Sequence, residues 1–157
     1  MGRLYGRAKG AERVKSFVPF DKGKRMTIIA ALGVEEIKTG LFGHWYTDGE
    51  IFLGFITDCL VPVLQTGDIV VMDNLSAHKV TGVKEAIEAA GAQLLYLPPY
   101  SPDLSPIELC WSKIKSHIRK KAARDYESLQ WAICEAFKTV TTSDIENWFA
   151  HCGYYIH

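Results

Sequence analysis

The sequence predicts an α/β fold in which helices cover the faces of a β-sheet. Short apolar runs bounded by turn residues alternate with amphipathic segments, and helical patterns fill the last third of the chain. Alternation of this kind favours a sheet with helices packed against it. The 157 residues, 48% of them hydrophobic, suffice for one domain with a sizeable core, spanning 1–157.

The chain up to Gly91 contains three predicted strands and two predicted helices. Residues 26–33 predict a first strand, and residues 39–48 a second strand with its turn. Residues 49–64 carry apolar side chains at helical spacing and predict an amphipathic helix. Residues 67–74 are a short apolar run between turn signals, which predicts a buried strand. The next pattern, 79–91, predicts a helix that ends at a glycine.

A further strand and a long basic helix come next. Residues 92–100 predict another buried strand, which ends at two prolines. The helix begins after Ser105, a favourable N-cap, and Pro106 suits its first position. Glu108 therefore lies in the first turn of this helix.

Two more helices end the predicted fold. Residues 126–140 carry apolar side chains on one helical face. The last, short helix starts at Ser143, and Glu146 completes a capping box in which the two side chains bond each other's backbone N–H groups.

Two carboxylates are candidates for chemistry. Asp73 ends a predicted buried strand, where functional groups of open α/β sheets project, and Glu108 follows the next strand after 34 intervening residues. The helix, strand and loop between them can return the chain to the same end of the sheet, so the two carboxylates can converge. Convergent carboxylates are the ligands that Mg²⁺ or Mn²⁺ prefers. Such ions support phosphoryl transfer.

Each carboxylate also has a structural interpretation. Asp73 is followed by an asparagine, and an Asp-Asn pair at the end of a strand commonly forms a turn. Glu108 lies three residues after Ser105, which is capping-box spacing, and the helix dipole favours an acid in this turn. Position alone leaves both interpretations open.

Charge is unevenly distributed on a chain whose net charge is zero. Residues 1–25 and residues 113–124 each carry a net charge of +6, whereas residues 26–112 and 125–157 sum to −8 and −4. Two basic blocks fit contacts with nucleic-acid phosphates, although a solvated helix face also explains such a run. Lys113, Lys115, Arg119 and Lys120 are the candidate phosphate contacts on the predicted helix.

Other classes of protein fit the sequence poorly. No apolar run approaches the roughly 20 residues of a membrane span, and no signal-peptide pattern is found at the start. The four cysteines form neither a C-x-x-C pair nor a zinc-type spacing with histidines, so we expect free thiols.

Two sequence motifs closely resemble the mariner-like group of bacterial insertion-sequence transposases. They read "VVMDNLSAHK" (70–79) and "LLYLPPYSPDLSPIELCWSKIK" (94–115), and "RLYGRAKGAERV" (3–14) and "FAHCGY" (149–154) extend the resemblance over the chain. In that family the aspartate of the first motif is the second catalytic carboxylate, and the glutamate of the second motif is the third. The resemblance therefore implies that Asp73 and Glu108 are catalytic and bind metal.

The resemblance also implies a fold and an activity. It implies a ribonuclease-H-like mixed sheet flanked by helices, two Mg²⁺ or Mn²⁺ ions, and cutting and joining of DNA at transposon ends, usually into a TA target. It places the DNA-recognition helix-turn-helix modules upstream of the catalytic domain. It implies DNA as partner, together with a second copy of the chain or with the missing N-terminal half, and a bacterial cytoplasmic, nucleoid-associated protein.

One departure from the family pattern concerns the first catalytic aspartate. In relatives it lies on a strand shortly before the segment that here begins at Met1, so we expect this chain to lack that strand and that aspartate. Neither Asp21, in a Lys/Gly-rich loop, nor Asp48, in a turn, is a convincing substitute. We expect the chain alone not to cleave DNA, and to be poorly stable unless residues 11–20 fill the place of the strand.

Residues around the two carboxylates receive secondary roles. Asn74 and His78 belong to the first motif and are candidates for orienting Asp73 or contacting DNA, with turn and helix-start roles as the alternatives. Tyr100, Ser101 and Pro102 are candidates for shaping the loop before Glu108, with plain loop chemistry as the alternative. Trp111 is expected in the core.

Three functions are compatible with these observations. The first is a DDE-type transposase catalytic domain, a metal-dependent DNA endonuclease and polynucleotidyl transferase. The second is a catalytically inactive remnant that only binds DNA or a partner transposase. The third is a small α/β domain with a phosphoacceptor aspartate, which would leave the second motif without a role.

Overall fold

The structure, a computed structural model, describes residues 26–123 and 125–154. The basic segment 1–25, with Asp21 and the motif at 3–14, and Arg124 of the second basic block lie outside the described residues.

Strands and helices follow one another in the predicted order. The strands are β1 (Thr27–Leu32), β2 (Ile37–Gly43), β3 (Ile69–Met72) and β4 (Gln93–Tyr96). The helices are α1 (Gly49–Phe55), α2 (Val83–Ala89), α3 (Pro106–Lys121), α4 (Tyr126–Lys138) and α5 (Thr142–His151). Short helical turns are formed at Ile56–Leu60, Val61–Val63, Ser76–Lys79 and Pro102–Leu104.

The strands form two ladders of opposite type, as a mixed sheet requires. β1 and β2 pair antiparallel, with Thr27 opposite Gly43, and β3 and β4 pair parallel, with Met72 opposite Tyr96. Within the described ranges the two ladders are not hydrogen-bonded to each other. Parallel strands need a crossover connection, and α2 supplies it between β3 and β4.

One hydrophobic core joins the two ladders through α1 and the turns that continue it. Phe52, Phe55 and Ile56 of this segment are buried and pack with Ile29 of β1 and Met72 of β3. The segment was predicted as one helix over 49–64, and it is continuous, but its backbone changes to a π turn at Ile56 and a 3₁₀ turn at Val61. The core thus brings both strand pairs onto one helix, which fixes the place of β3.

A second core holds the long basic helix. Cys110 and Ile114 of α3 are buried with Ala136 of α4, and Leu32 and Ile37 at the ends of β1 and β2 pack against them. Trp111, predicted as core, is partly buried and meets Phe137 edge-on, with ring centroids 6.4 Å apart. These contacts fix the position of α3.

The parallel strands differ from their prediction as fully buried strands. Met72 is buried, but Ile69 is 62% exposed and Leu95 is 55% exposed. Side chains of a strand alternate between the two faces of a sheet, so one face of the β3–β4 ladder packs on the core while the other is open to solvent. The continuous apolar runs therefore led us to predict more burial than these two strands have.

The helix starts show where the predicted caps hold and where they differ. Asp48, which was expected only in a turn, caps α1 by accepting from Ile51 N–H at 2.9 Å. Ser105 precedes α3 as predicted, but its side chain makes no capping bond. The predicted start of α5 at Ser143 with Glu146 is wrong, because Thr141 and Asp144 form the capping box two residues earlier.

Two negative expectations concern the membrane and the cysteines. In residues 26–123 and 125–154, no helix is both long and apolar enough to cross a bilayer.

Cys59, Cys110, Cys134 and Cys152 are free thiols, as expected. Burial raises the pKa of the Cys110 thiol to about 11, so this side chain stays protonated and serves packing.

Candidate active site

Asp73 is the first residue after β3, at the carboxyl end of the parallel ladder. Its side chain is half exposed, and its Oδ1 atom accepts a hydrogen bond from Leu75 N–H at 3.1 Å. The turn role considered for this aspartate is therefore real, since the side chain closes the turn that follows the strand. The turn uses Oδ1 and leaves a half-exposed carboxylate at the end of a core strand.

His78 lies directly against the same carboxylate oxygen. Its Nδ1 atom is 2.7 Å from Asp73 Oδ1, although the angle is not that of a standard hydrogen bond. The imidazole is largely buried and stacks on Phe52, with ring centroids 4.1 Å apart. Its backbone carbonyl also accepts from the Tyr96 hydroxyl at 2.8 Å. Core packing thus fixes the ring that touches Asp73.

Asn74 has a different partner from the one considered for it. Its side-chain amide donates to the backbone carbonyl of Leu97, not to Asp73. Leu97 N–H in turn donates to Met72 O at 2.8 Å. Asn74 therefore ties the ends of β3 and β4 together, and it fixes the start of the loop that leaves β4.

Glu108 is reached from β4 by the loop of residues 97–105. It lies in the first turn of α3, and its side chain is exposed. The capping box considered for it is absent: Ser105 N–H donates to Pro102 O at 3.1 Å, and the Ser105 side chain makes no capping bond. The carboxylate of Glu108 is therefore available for another role.

The chemistry of Asp73 and Glu108 suits a hard divalent cation. Both are exposed carboxylates, and both follow strands of the same parallel ladder, one directly and one through a loop. Across the described part of the chain, no three His, Cys, Asp or Glu side chains are grouped so that they could hold a metal ion. Carboxylate oxygens are the ligand type of an ion whose coordination is completed by water or substrate oxygens.

The basic residues of α3 divide between two faces of the helix. Lys115 and Arg119 are exposed and follow Glu108 by seven and eleven residues, about two and three turns, so all three lie on one face. Lys113, His117 and Lys120 lie on another face, where they line a groove of about 460 Å³ beside α5.

Lys113 is the least available of the four candidate phosphate contacts. Its ammonium donates to Asp144 Oδ2, which also accepts from the N–H and hydroxyl of Thr141 at 2.8 and 2.7 Å. These hydrogen bonds, that of Lys113 first, lower the pKa of Asp144 to about 2. The pair links α3 to α5.

The sequence of residues 3–130 matches the family model described as "DDE superfamily endonuclease". The match covers most of the chain and includes both motifs. This chain belongs to the DDE superfamily endonucleases. The prediction of a DDE-type enzyme family from the two motifs is confirmed.

Solved structures similar to this DDE superfamily endonuclease include complexes of Mos1. The Mos1 strand transfer complex has a TM-score of 0.76 and 16% identity, over 99% of this chain and 51% of that one. The Mos1 mariner paired end complex with Mn has a TM-score of 0.77 and 16% identity, over 94% and 46%. The catalytic domain of Mos1 mariner transposase has a TM-score of 0.69 and 16% identity, over 90% and 81%.

These similarities confirm the predicted fold class, the mixed α/β fold of the Mos1 catalytic domain. The chain spans about half the length of the Mos1 chain in the strand transfer complex. A comparison with curated protein sequences gives no significant match.

Two features of this DDE superfamily endonuclease were not predicted from sequence, and one of them is a contact at the loop before Glu108. The hydroxyl of Tyr154 donates to Leu104 O at 2.8 Å, fifty residues away in sequence, and thereby holds the end of the loop before Glu108. Within the described residues, the buried Nε2 atom of His117 at the groove beside α5 has no hydrogen-bond partner. Tyr154 belongs to the closing motif "FAHCGY", which was the available signal.

Proposed function

We propose that this chain is the catalytic domain of a mariner-like insertion-sequence transposase, which cleaves DNA and transfers the cut strand. The observation that carries the proposal is the position of Asp73. It follows a core strand, touches the largely buried ring of His78, and lies at the ladder edge from which the chain proceeds to Glu108. The family match supports an endonuclease.

Asp73 and Glu108 would hold the divalent metal of this reaction. The parallel pairing of β3 and β4 starts both connections at one edge, and Glu108 is not used in a helix cap. When bound, a divalent metal supplies charge stabilisation for phosphoryl transfer. Either Mg²⁺ or Mn²⁺ suits the two carboxylates, and the similar Mos1 mariner paired end complex was solved with Mn.

His78 and Leu75 would orient Asp73. Leu75 N–H holds Oδ1 at 3.1 Å, and His78 touches the same oxygen, so rotation of the carboxylate is restricted. Oδ2 is then the oxygen free to face metal or substrate. Because these contacts already hold the Asp73 carboxylate in one orientation, it need not lose conformational freedom each time it binds metal.

The DNA backbone would follow the face of α3 that carries Glu108. Lys115 and Arg119 lie about 10 and 16 Å along the helix axis from Glu108, at the usual rise per residue. In the described part of the molecule, no ion pair involves either side chain. Both can therefore neutralise phosphates next to the carboxylates.

The partners follow from the same proposal. They are DNA, as transposon ends and as target, and a second copy of the transposase. The protein would act with chromosomal DNA in the bacterial cytoplasm.

The test measures Mn²⁺ binding by the electron paramagnetic resonance of free Mn²⁺, and nicking of a DNA duplex that carries the element's ends. Asp73→Asn and Glu108→Gln keep the side-chain shapes and remove the negative charges. Each should weaken Mn²⁺ binding at least about tenfold. Asp103→Asn is the matched control, because Asp103 is an exposed acid in the loop that precedes Glu108.

The outcomes separate the two leading functions. Nicking that needs Mn²⁺, Asp73 and Glu108 supports a transposase that cleaves without further chains. Metal and DNA binding without nicking supports the inactive form, which only binds DNA or a partner transposase. Mn²⁺ binding that survives both substitutions would sink the proposed metal site.

A further inference from the structure

Tyr100 is the most exposed large hydrophobic side chain of the described residues, at 99%. It lies in the loop between β4 and α3, and its backbone has a φ of 57°, in the left-handed region. The other described non-glycine residue with positive φ is Ala122, which ends α3, where this conformation is ordinary. Tyr100 has no helix end to explain its conformation, which is unfavourable for an L-residue with a side chain.

The loop that carries Tyr100 is fixed at both ends. Asn74 holds Leu97 at its start, and Tyr154 holds Leu104 at its end. Pro98, Pro99 and Pro102 restrict the backbone between these anchors. The strained conformation is therefore imposed by the structure around it, and it presents the phenol ring to solvent. Strain of this kind concentrates at functional sites.

Tyr100 also lies close to the candidate active site. It lies three positions after Leu97, so its Cα is within about 11 Å of the Cα of the residue whose carbonyl Asn74, the neighbour of Asp73, holds. In the other direction the chain reaches α3 and Glu108 within eight residues. Tyr100 therefore lies in the loop that joins the strand end beside Asp73 to the helix start that carries Glu108.

The surroundings of Tyr100 favour a nucleobase as its partner. The exposed neighbours of the ring in its loop are Pro98, Pro99, Pro102 and the acidic Asp103, so Tyr100 is the one aromatic ring that this loop presents to solvent. The carboxylate of Asp103 disfavours a phosphate in the same place. A single exposed ring is sufficient to stack on one base, provided that the base is not already stacked in a duplex.

We propose that Tyr100 stacks on an unpaired base of the DNA substrate next to the scissile phosphate. This rests on the proposed function, since it assumes that DNA occupies the site of Asp73 and Glu108. Tyr100 would position the strand to be cut, and it would make the enzyme prefer DNA whose end is open over fully paired DNA.

The experiment uses the full chain in Ca²⁺, to avoid cleavage, and duplexes that carry 2-aminopurine either in a two-nucleotide overhang or within the paired region. Fluorescence anisotropy of a distant dye measures total DNA binding, and quenching of 2-aminopurine measures stacking. Wild type and Tyr100→Phe should quench the overhang probe, and neither should quench the paired probe beyond its value in free DNA.

Tyr100→Gly should abolish this quenching and weaken binding of the overhang duplex about tenfold, with little change for the blunt duplex. Glycine accepts a φ of 57° without strain, so this variant retains the loop conformation. Tyr46→Ala is the matched control, because Tyr46 is a loop tyrosine that is 73% exposed but has no positive φ, and it should change neither readout.

Three results would overturn the inference. Equal quenching by wild type and Tyr100→Gly would mean that the ring does not stack. Equal weakening of binding for overhang and blunt duplexes would mean that Tyr100 serves the loop alone. Failure of the wild-type chain to bind any duplex would remove DNA as partner and overturn the proposed function as well, whereas the first two results leave that function intact.

Discussion

The Nδ1 atom of His78 lies 2.7 Å from Oδ1 of Asp73, and the imidazole ring is stacked on Phe52 in the core. We predict that His78→Phe, which keeps a ring on Phe52 but removes the nitrogen, weakens Mn²⁺ binding about ten- to a hundredfold. The melting temperature should change little, because the stacking is retained. Calorimetric metal titration and thermal melting measure the two effects.

A change at an unrelated histidine provides the control for this prediction. His151 is exposed at the end of α5, and His151→Phe should leave Mn²⁺ affinity unaltered. If His78→Phe bound Mn²⁺ like the wild type, the contact with Asp73 would have no role in positioning a ligand.

The second prediction concerns the face of α3 that carries Glu108. Lys115→Ala with Arg119→Ala should weaken DNA binding for any sequence, and should reduce the log–log salt slope by about 0.9 for each phosphate that is no longer neutralised. Anisotropy titrations at several salt concentrations measure the slope. Lys84→Ala is the control, since Lys84 is an exposed lysine of α2 paired with Glu88 at 3.6 Å. An unchanged slope would make the basic face a solvated surface.

The third prediction is that Asp144 makes the free energy of unfolding decrease at acid pH. Its pKa is lowered from 3.8 to about 2 in the folded chain, first by Lys113 and then by Thr141. A carboxyl group whose pKa is lower in the folded chain than in the unfolded chain stabilises the fold at pH values above its unfolded-state pKa. This stabilisation is lost as the pH falls from about 4 to about 2. After allowance for solvent screening, protonation of Asp144 should lower the free energy of unfolding by about 1 kcal/mol.

Urea unfolding at neutral pH and at successively lower pH tests this. Asp144→Asn should unfold more easily at neutral pH, and its stability should fall less on acidification than that of the wild type. Glu146→Gln, at an exposed position of the same helix, should follow the wild-type curve. If the free energy of unfolding fell in parallel with pH for Asp144→Asn and wild type, Asp144 would not be the source of the loss of stability in acid.

The fourth prediction compares two isoleucines of opposite burial. Ile114 of α3 is fully buried, and Ile114→Ala should lower the free energy of unfolding by about 2–5 kcal/mol. Ile69 of β3 is 62% exposed, and Ile69→Ala should cost less than about 1 kcal/mol. A large decrease for Ile69→Ala would mean that this strand face is covered in solution, which denaturant titration of both variants would reveal.

Local sequence signals predicted the order of elements because they rest on local physics. Pro106 begins α3 as predicted, and Gly91, with a φ of 82°, follows α2 as the left-handed residue that ends a helix. The start of α5 was misplaced because Ser143-x-x-Glu146 and Thr141-x-x-Asp144 offer overlapping caps. Asp144 gains Lys113 of α3 as a third partner, a tertiary contact that local sequence does not reveal.

The candidate site was only partly predictable for a similar reason. Strand-end and helix-start positions identified Asp73 and Glu108, and motif membership identified His78 and Asn74. The separate partners of the last two, the Asp73 carboxylate and the Leu97 carbonyl, depend on the pairing of β3 with β4. The strain at Tyr100 depends on anchors that lie far from it in sequence, so the sequence indicated only a loop.

The hydrogen bond from Tyr154 to Leu104 has a practical consequence for anyone handling this protein. A purification tag or fluorescent fusion joined tightly behind this tyrosine would pull on the loop that precedes Glu108, fifty residues upstream. Attachment through a long flexible spacer avoids that tension.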